Sequence, residues 1–216
     1  RRCAAVVAEA IWEALDAASI GRDILALVDL DEGGLGKQLI THPAVDRVIL
    51  TGSFETAALF RSWRPDLALQ AETSGKNAMI VMPSADLDLA ASDLVRSAFG
   101  HAGQKCSAAS LAILVGPVAR SQRFSRQLVD AATSLRVGSP EDPLTEVGPL
   151  VEAPSGKLAW ALTTLDEDER WLVEPHELPH ERFDGRLWTP GIRTGVKPGS
   201  RMHLEEFFGP VLGVMH

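Results

Sequence analysis

Cys106 and Glu72 are the residues of this chain best placed to do chemistry. Cys106 stands in Gly100-His101-Ala102-Gly103-Gln104-Lys105-Cys106-Ser107. A loop of this kind, between a helix and a strand, presents a thiol at a cleft rather than inside a core. Gly100 and Gly103 give its backbone conformations closed to other residues. Lys105 favours the thiolate, which is the nucleophilic form. The same segment is compatible with an inert buried cysteine, the commoner state of a lone thiol. Glu72 stands in Leu69-Gln70-Ala71-Glu72-Thr73-Ser74-Gly75-Lys76-Asn77. A carboxylate that ends an apolar strand and precedes small residues can line a cleft, and partial burial raises its pKa toward that of a general base. Taken alone, Glu72 reads better as a solvated loop acid.

Other segments are weaker signals. Leu204-Glu205-Glu206-Phe207-Phe208-Gly209-Pro210-Val211 reads as a strand entry with packed aromatics. Gly33, Gly34 and Gly36 fall short of a full Gly-x-Gly-x-x-Gly. His101 near Cys106 suggests a cysteine hydrolase, although such dyads usually join residues distant in sequence. His176 and His180 have helical spacing, but Pro175 and Pro179 oppose the helix that would align them, so no metal site is expected.

The elements that must position these residues alternate along the chain. Residues 5–18 place Val7, Ile11, Ala14, Leu15 and Ala18 on one helical face. Ile24 to Val28 has strand character. Gly33, Gly34 and Gly36 precede a helix that ends near His42-Pro43. Val48 to Leu50 predicts a strand that leads into Thr51-Gly52-Ser53, with Ser53 as N-cap of a helix to about Arg61. Leu67 to Ala71 predicts another strand, and a second unit begins near Gly75. There a strand over Ala78 to Met82 precedes a helix capped by Asp86, carrying Leu87, Ala91, Leu94, Ala98 and Phe99. Gly100 to Cys106 breaks that helix, and Leu111 to Val115 is the next strand. Phe124, Leu128, Ala131 and Leu135 mark a further helix. Residues 138–149 read as loop, 155–166 as helical and 174–186 as surface loop. Apolar strands separated by helices predict an α/β fold with a parallel sheet, in which ligands bind at the carboxyl ends of strands. Thr51-Gly52-Ser53 and Glu72 both fall at such ends.

Composition excludes several classes. With 45% hydrophobic and 23% charged residues the chain is too apolar for disorder. A net charge of −8 argues against nucleic acid as the main partner. No apolar run approaches a membrane span, and no secretory signal opens the chain, although its first residue is not Met. Two cysteines, Cys3 and Cys106, build neither a disulfide framework nor a four-cysteine zinc site. A reducing cytoplasm is the expected location.

Together these segments resemble the aldehyde dehydrogenase superfamily, in the family's own order. Leu50-Thr51-Gly52-Ser53 is similar to its Phe-Thr-Gly-Ser motif. Ala71-Glu72-Thr73-Ser74-Gly75-Lys76-Asn77 is similar to Glu-Leu-Gly-Gly-Lys. Gly103-Gln104-Lys105-Cys106 is similar to Gly-Gln-x-Cys, and Glu205 to Val211 to Glu-Glu-x-Phe-Gly-Pro-Val. Asp142-Pro143 through Gly148-Pro149-Leu150 resembles its connecting loop. The resemblance weakens between about 155 and 185. Within the superfamily, Glu72 to Val81 and Gly103 to Ala108 look most like the glutamate-semialdehyde (1-pyrroline-5-carboxylate) dehydrogenases, including the dehydrogenase half of bifunctional proline-utilisation enzymes. Two positions depart from the pattern: Leu50 replaces an aromatic, and Ser74 replaces the first glycine of the Gly-Gly pair.

The resemblance implies a three-layer parallel-sheet fold, present here in part. Residues 1–72 would be the second half of a Rossmann-like NAD(P)-binding domain, and 73–216 a catalytic domain lacking its C-terminal end. It implies Cys106 as nucleophile and Glu72 as the base that activates water. Gly36, Gly52, Ser53, Glu206 and Phe208 would bind NAD, or NADP, and Ser107 with Lys105 would hold the substrate. Family subunits are longer than this chain. A ribose-contacting Lys and an oxyanion-holding Asn are expected before Arg1, and a subunit-joining strand and second substrate-anchoring loop after His216. The whole protein is expected to be a homo-oligomer, and this chain alone inactive or nearly so. An aldehyde dehydrogenase for a different aldehyde, and a non-catalytic assembly domain, are the competing expectations.

Overall fold

A computed structural model describes residues 2–30 and 34–216. The chain divides into two units, Arg1–Thr73 and Ser74–His216, each described here by itself.

In the first unit, helix α1 spans Arg2–Ala17. The apolar positions expected to share a face lie largely open, with Val7 58% and Ile11 42% exposed. Ile24 to Val28 is not a strand. Arg22–Ile24 form one 3-10 turn, and among the described residues the stretch pairs with no strand. It is tied back to α1 instead, by the Trp12 indole N–H donating to the Leu25 carbonyl at 3.0 Å. β-propensity without a partner strand does not make a strand. Helix α2, Gly34–Thr41, contains Gly34 and Gly36 rather than following them, and Gly33 lies outside the described residues. Strand β1, Arg47–Gly52, runs parallel to β2, Ala68–Thr73, with Thr51 opposite Glu72. Helix α3, Phe54–Trp63, connects them. Its N-cap is Ser53, whose Oγ accepts from the Thr56 N–H at 3.1 Å. A cap of this kind stabilises a helix by about 1 kcal/mol.

The second unit is a five-stranded sheet. Its strands are β3 (Ala78–Val81), β4 (Leu111–Leu114), β5 (Arg170–Val173), β6 (Gly191–Thr194) and β7 (Val211–Met215). The spatial order is β3-β4-β7-β6-β5, parallel throughout except for β5 against β6. Helices α4 (Leu87–Phe99) and α5 (Gln122–Thr133) carry buried residues at helical spacing: Leu94, Ala98, Phe124 and Leu128. These pack with Ala112, Ile192, Leu212 and Val214 in one core cluster. Helices α6 (Gly156–Thr163) and α7 (Arg201–Leu204) contribute Ala161, Leu162 and Met202 to a second cluster with Leu111 and Val211. Neighbours Leu111 and Ala112, and likewise Val211 and Leu212, thus enter different clusters, as alternation along a strand requires. The result is helix, sheet, helix, and each fully buried Leu or Phe contributes about 1.5–3 kcal/mol.

Strands β5 and β6 and helix α7 carry weak sequence signals. β6 hides a charge in its middle: Arg193 is 0% exposed and paired with Glu169, 6% exposed. Among the described residues no helix is long and apolar enough to cross a membrane.

Candidate active site

The loop that carries Cys106 begins where α4 stops. His101 and Ala102 both take left-handed backbone angles, φ 55° and 54°, which cost non-glycine residues energy and persist only when neighbours fix them. Gly103 follows at φ +67°, and a Cβ there would overlap the carbonyl oxygen of Gly209. The glycine at this position thus permits two backbone segments to touch. Gly100, at φ −54°, makes no such demand, so only one of the two loop glycines is needed for its backbone freedom.

Three further groups hold the loop. The Asn77 side-chain amide donates to the Cys106 carbonyl at 2.7 Å and to the Ala108 carbonyl at 3.1 Å, while the Asn77 backbone carbonyl accepts from the N–H groups of Ser110 and Leu111 at 3.0 and 3.1 Å. Gln104 donates through Nε2 to the Phe208 carbonyl at 3.2 Å and accepts through Oε1 from the Val151 N–H at 2.9 Å. The Ser97 hydroxyl accepts from the Ala109 N–H at 3.1 Å. Each such bond contributes about 0.5–1.5 kcal/mol. Ala108 and Ala109 are buried while Lys105, Cys106 and Ser107 are exposed. The buried structural cysteine is therefore not what this chain contains: the thiol stands on a braced turn, open to solvent.

The second loop, 205–209, lies against the first. Lys105, Ser110, Glu206 and Phe208 line a shallow pocket between them. Phe207 is 2% exposed and anchors the loop, its ring tilted 31° against that of Trp160 with centres 5.4 Å apart. Its neighbour Phe208 has φ +50° and is 40% exposed. Glu206 accepts from the Gly75 N–H at 3.5 Å, a long contact. An outward aromatic beside a half-buried carboxylate suits a nicotinamide dinucleotide, whose ribose offers hydroxyls to the acid and whose ring offers a flat face.

In the first unit, Gly52 ends β1 and Ser53 caps α3, so both stand at a strand's carboxyl end and at the positive end of a helix dipole. Glu72 lies in β2 and is exposed; the expected partial burial is not found. Its side chain leaves the edge of a two-stranded sheet that covers little of it. Gly36 sits half-buried within α2. His176 and His180 fall in an irregular segment. Sequence reasoning missed Asn77, Gln104 and Lys76, whose signal was their place inside two chemically promising segments.

Comparison with known proteins places the chain in a family. The chain belongs to the aldehyde dehydrogenase family, whose pattern matches residues 2–216. It is 33% identical over 219 residues to 1-pyrroline-5-carboxylate dehydrogenase of Bacillus subtilis, covering 98% of this chain and 42% of that protein. Among solved structures it is similar to proline utilization A (PutA) from Corynebacterium freiburgense, with 54% identity and TM-score 0.89 over 100% of this chain and 21% of that one. It is also similar to 1-pyrroline-5-carboxylate dehydrogenase from Thermus with bound NAD, with 34% identity and TM-score 0.72 over 84% of this chain and 36% of that one. The chain thus spans less than half the length of each of these proteins.

Proposed function

We propose that the protein containing this chain oxidises an aldehyde to a carboxylic acid with NAD as hydride acceptor, and that the aldehyde is glutamate semialdehyde. Residues 1–72 would serve the dinucleotide and 73–216 the chemistry. The observation that carries this reading is the exposed Cys106 thiol on a turn held by Asn77 and Gln104.

The Cys106 thiolate attacks the aldehyde carbon, forming a carbon–sulfur bond and an oxyanion. The Cys106 backbone N–H stabilises that oxyanion. A bound NAD would supply the hydride acceptor for the same carbon, so that the carbonyl re-forms and a thioester remains on Cys106. Glu72 takes a proton from water, the resulting hydroxide attacks the thioester, and the acid leaves as the thiolate returns. Glu206 would accept hydrogen bonds from the nicotinamide ribose and Phe208 would flank the ring. Gly52 and Ser53, at the helix end that favours anions, would hold the pyrophosphate, and Gly36 of α2 would also serve the cofactor. Ser107 donates to the substrate carboxylate, and Lys105 adds positive charge beside it. NAD is preferred over NADP because the Thermus relative carries NAD, and the semialdehyde over other aldehydes because of the relatives' names.

Steady-state rates of the whole protein with glutamate semialdehyde and with short aliphatic aldehydes test the substrate. A higher kcat/KM for the semialdehyde, lost in Ser107→Ala, is expected. Equal or better use of the aliphatic aldehydes contradicts it.

A further inference from the structure

Lys76 has no part in the chemistry above, yet it occupies the junction of both loops. It follows Gly75, whose N–H faces Glu206, and precedes Asn77, which holds Cys106. Its ammonium nitrogen is buried and has no hydrogen-bond partner among the described residues. It sits 5.1 Å from the centre of the Phe207 ring. A lysine near the surface ordinarily extends its head to water. A buried ammonium without an acceptor is expensive, so its retention here needs a compensating interaction or a use.

The compensation is visible. A cation over an aromatic face is attracted by the ring quadrupole. The carboxylates of Glu206, Glu169 and Glu205 also favour the charged form, while burial, the larger influence, and Arg193 oppose it. The use follows from what Phe207 does. Its ring, held by Trp160 on α6 and with the Arg201 guanidinium of α7 5.9 Å from its centre, fixes the directions in which Glu206 and Phe208 project. Arg201 in turn binds Glu205 at 3.0 Å.

We infer that Lys76 is a positioning residue for the cofactor-side loop: its ammonium, set against Phe207 and facing Glu206, holds the Glu206 carboxylate where a dinucleotide ribose can reach it. The inference rests on the proposed role of Glu206. It gives cofactor binding a pH dependence. Burial lowers the Lys76 pKa from 10.5 to about 8, so the ammonium is present below that pH and lost above it. The groups facing it are Glu205 and Glu206 on the loop, Glu169 before β5, Arg193 on β6 and Arg201 across the ring. Carboxyl and guanidinium groups do not ordinarily titrate between pH about 7 and about 9.5.

The test is the Kd of NAD for the whole protein, measured by calorimetry between pH about 6.5 and about 9.5 for wild type, Lys76→Met, Lys76→Arg and Glu206→Gln. Wild-type affinity should fall about tenfold across a midpoint near 8. Lys76→Met should bind weakly with a flat profile, and Lys76→Arg should keep its affinity at high pH. A flat wild-type profile overturns the inference, as does Lys76→Met binding like wild type. Should Lys76→Met not fold, the wild-type and Lys76→Arg profiles still decide. Unchanged affinity in Glu206→Gln removes the ribose role itself; weakened Glu206→Gln beside unaffected Lys76→Met removes only the role of Lys76.

Discussion

The side-chain amide of Asn77 donates to the backbone carbonyls of Cys106 and Ala108, at 2.7 and 3.1 Å. Asn77 immediately precedes β3, so an edge strand of the sheet grips the turn that carries the thiol. Replacing Asn77 with Ala leaves two carbonyls without their donor, and should lower the unfolding free energy by about 1–3 kcal/mol. The thiol should also be less well placed. A fall in kcat larger than any rise in the NAD KM checks this, together with a changed alkylation rate at Cys106.

Gly103→Ala should be more damaging. The added Cβ meets the Gly209 carbonyl oxygen, and φ +67° is unfavourable for alanine. Both loops must then move apart. Loss of activity together with a lowered melting temperature is expected, whereas Gly100→Ala, at an ordinary φ with open space around it, should be tolerated.

The pair Arg193 and Glu169 is buried between Trp160 and Trp171, with the guanidinium 4.6 and 5.5 Å from their ring centres. Removing one partner leaves an uncompensated charge, and Glu169→Leu should cost about 3–5 kcal/mol. The double change Glu169→Leu with Arg193→Met should recover most of it. Urea denaturation of the three variants measures the coupling.

Lys76 also makes a stability prediction with a definite sign. Its folded pKa, about 8, lies below the ordinary 10.5. Below pH about 8 the lysine is protonated in both states, and its buried charge reduces stability in full. Between those two values the unfolded chain holds more protons, so the penalty shrinks as pH rises, and it is gone above the higher one. Lys76→Met should therefore raise the unfolding free energy at neutral pH by roughly 3 kcal/mol, with the gain vanishing in strong alkali. A variant that is more stable yet binds NAD less tightly separates a functional ammonium from a structural one.

Much of this was legible in the residues, for identifiable reasons. Ser53 and Asp86 announce their helices because a capping side chain is a local event. Leu111 to Leu114 announces a strand because buried parallel strands are uniformly apolar; Val48 to Leu50 has the same apolar run, although Ile49 is 77% exposed. Residues 191–194 give no such sign. Arg193 sits in the middle of β6, and its burial depends on Glu169, Trp160 and Trp171, which only the fold assembles. Ile24 to Val28 erred the other way, since an apolar run is a strand only where another strand lies beside it. At the site, Cys106 stood out by type, and Glu206 entered only through the family resemblance. Asn77, Gln104 and Lys76 did not, because their work is done through contacts with the Cys106 carbonyl, the Phe208 carbonyl and the Phe207 ring.

Covalent chemistry at Cys106 is tested most directly by intact-mass spectrometry of the Glu72→Gln whole protein mixed with NAD and glutamate semialdehyde. With water activation removed, a glutamyl thioester should accumulate on Cys106, accompanied by one equivalent of NADH per site, and Cys106→Ala should show neither. Undiminished turnover in Glu72→Gln, with the residue-106 thiol never acylated, would contradict it.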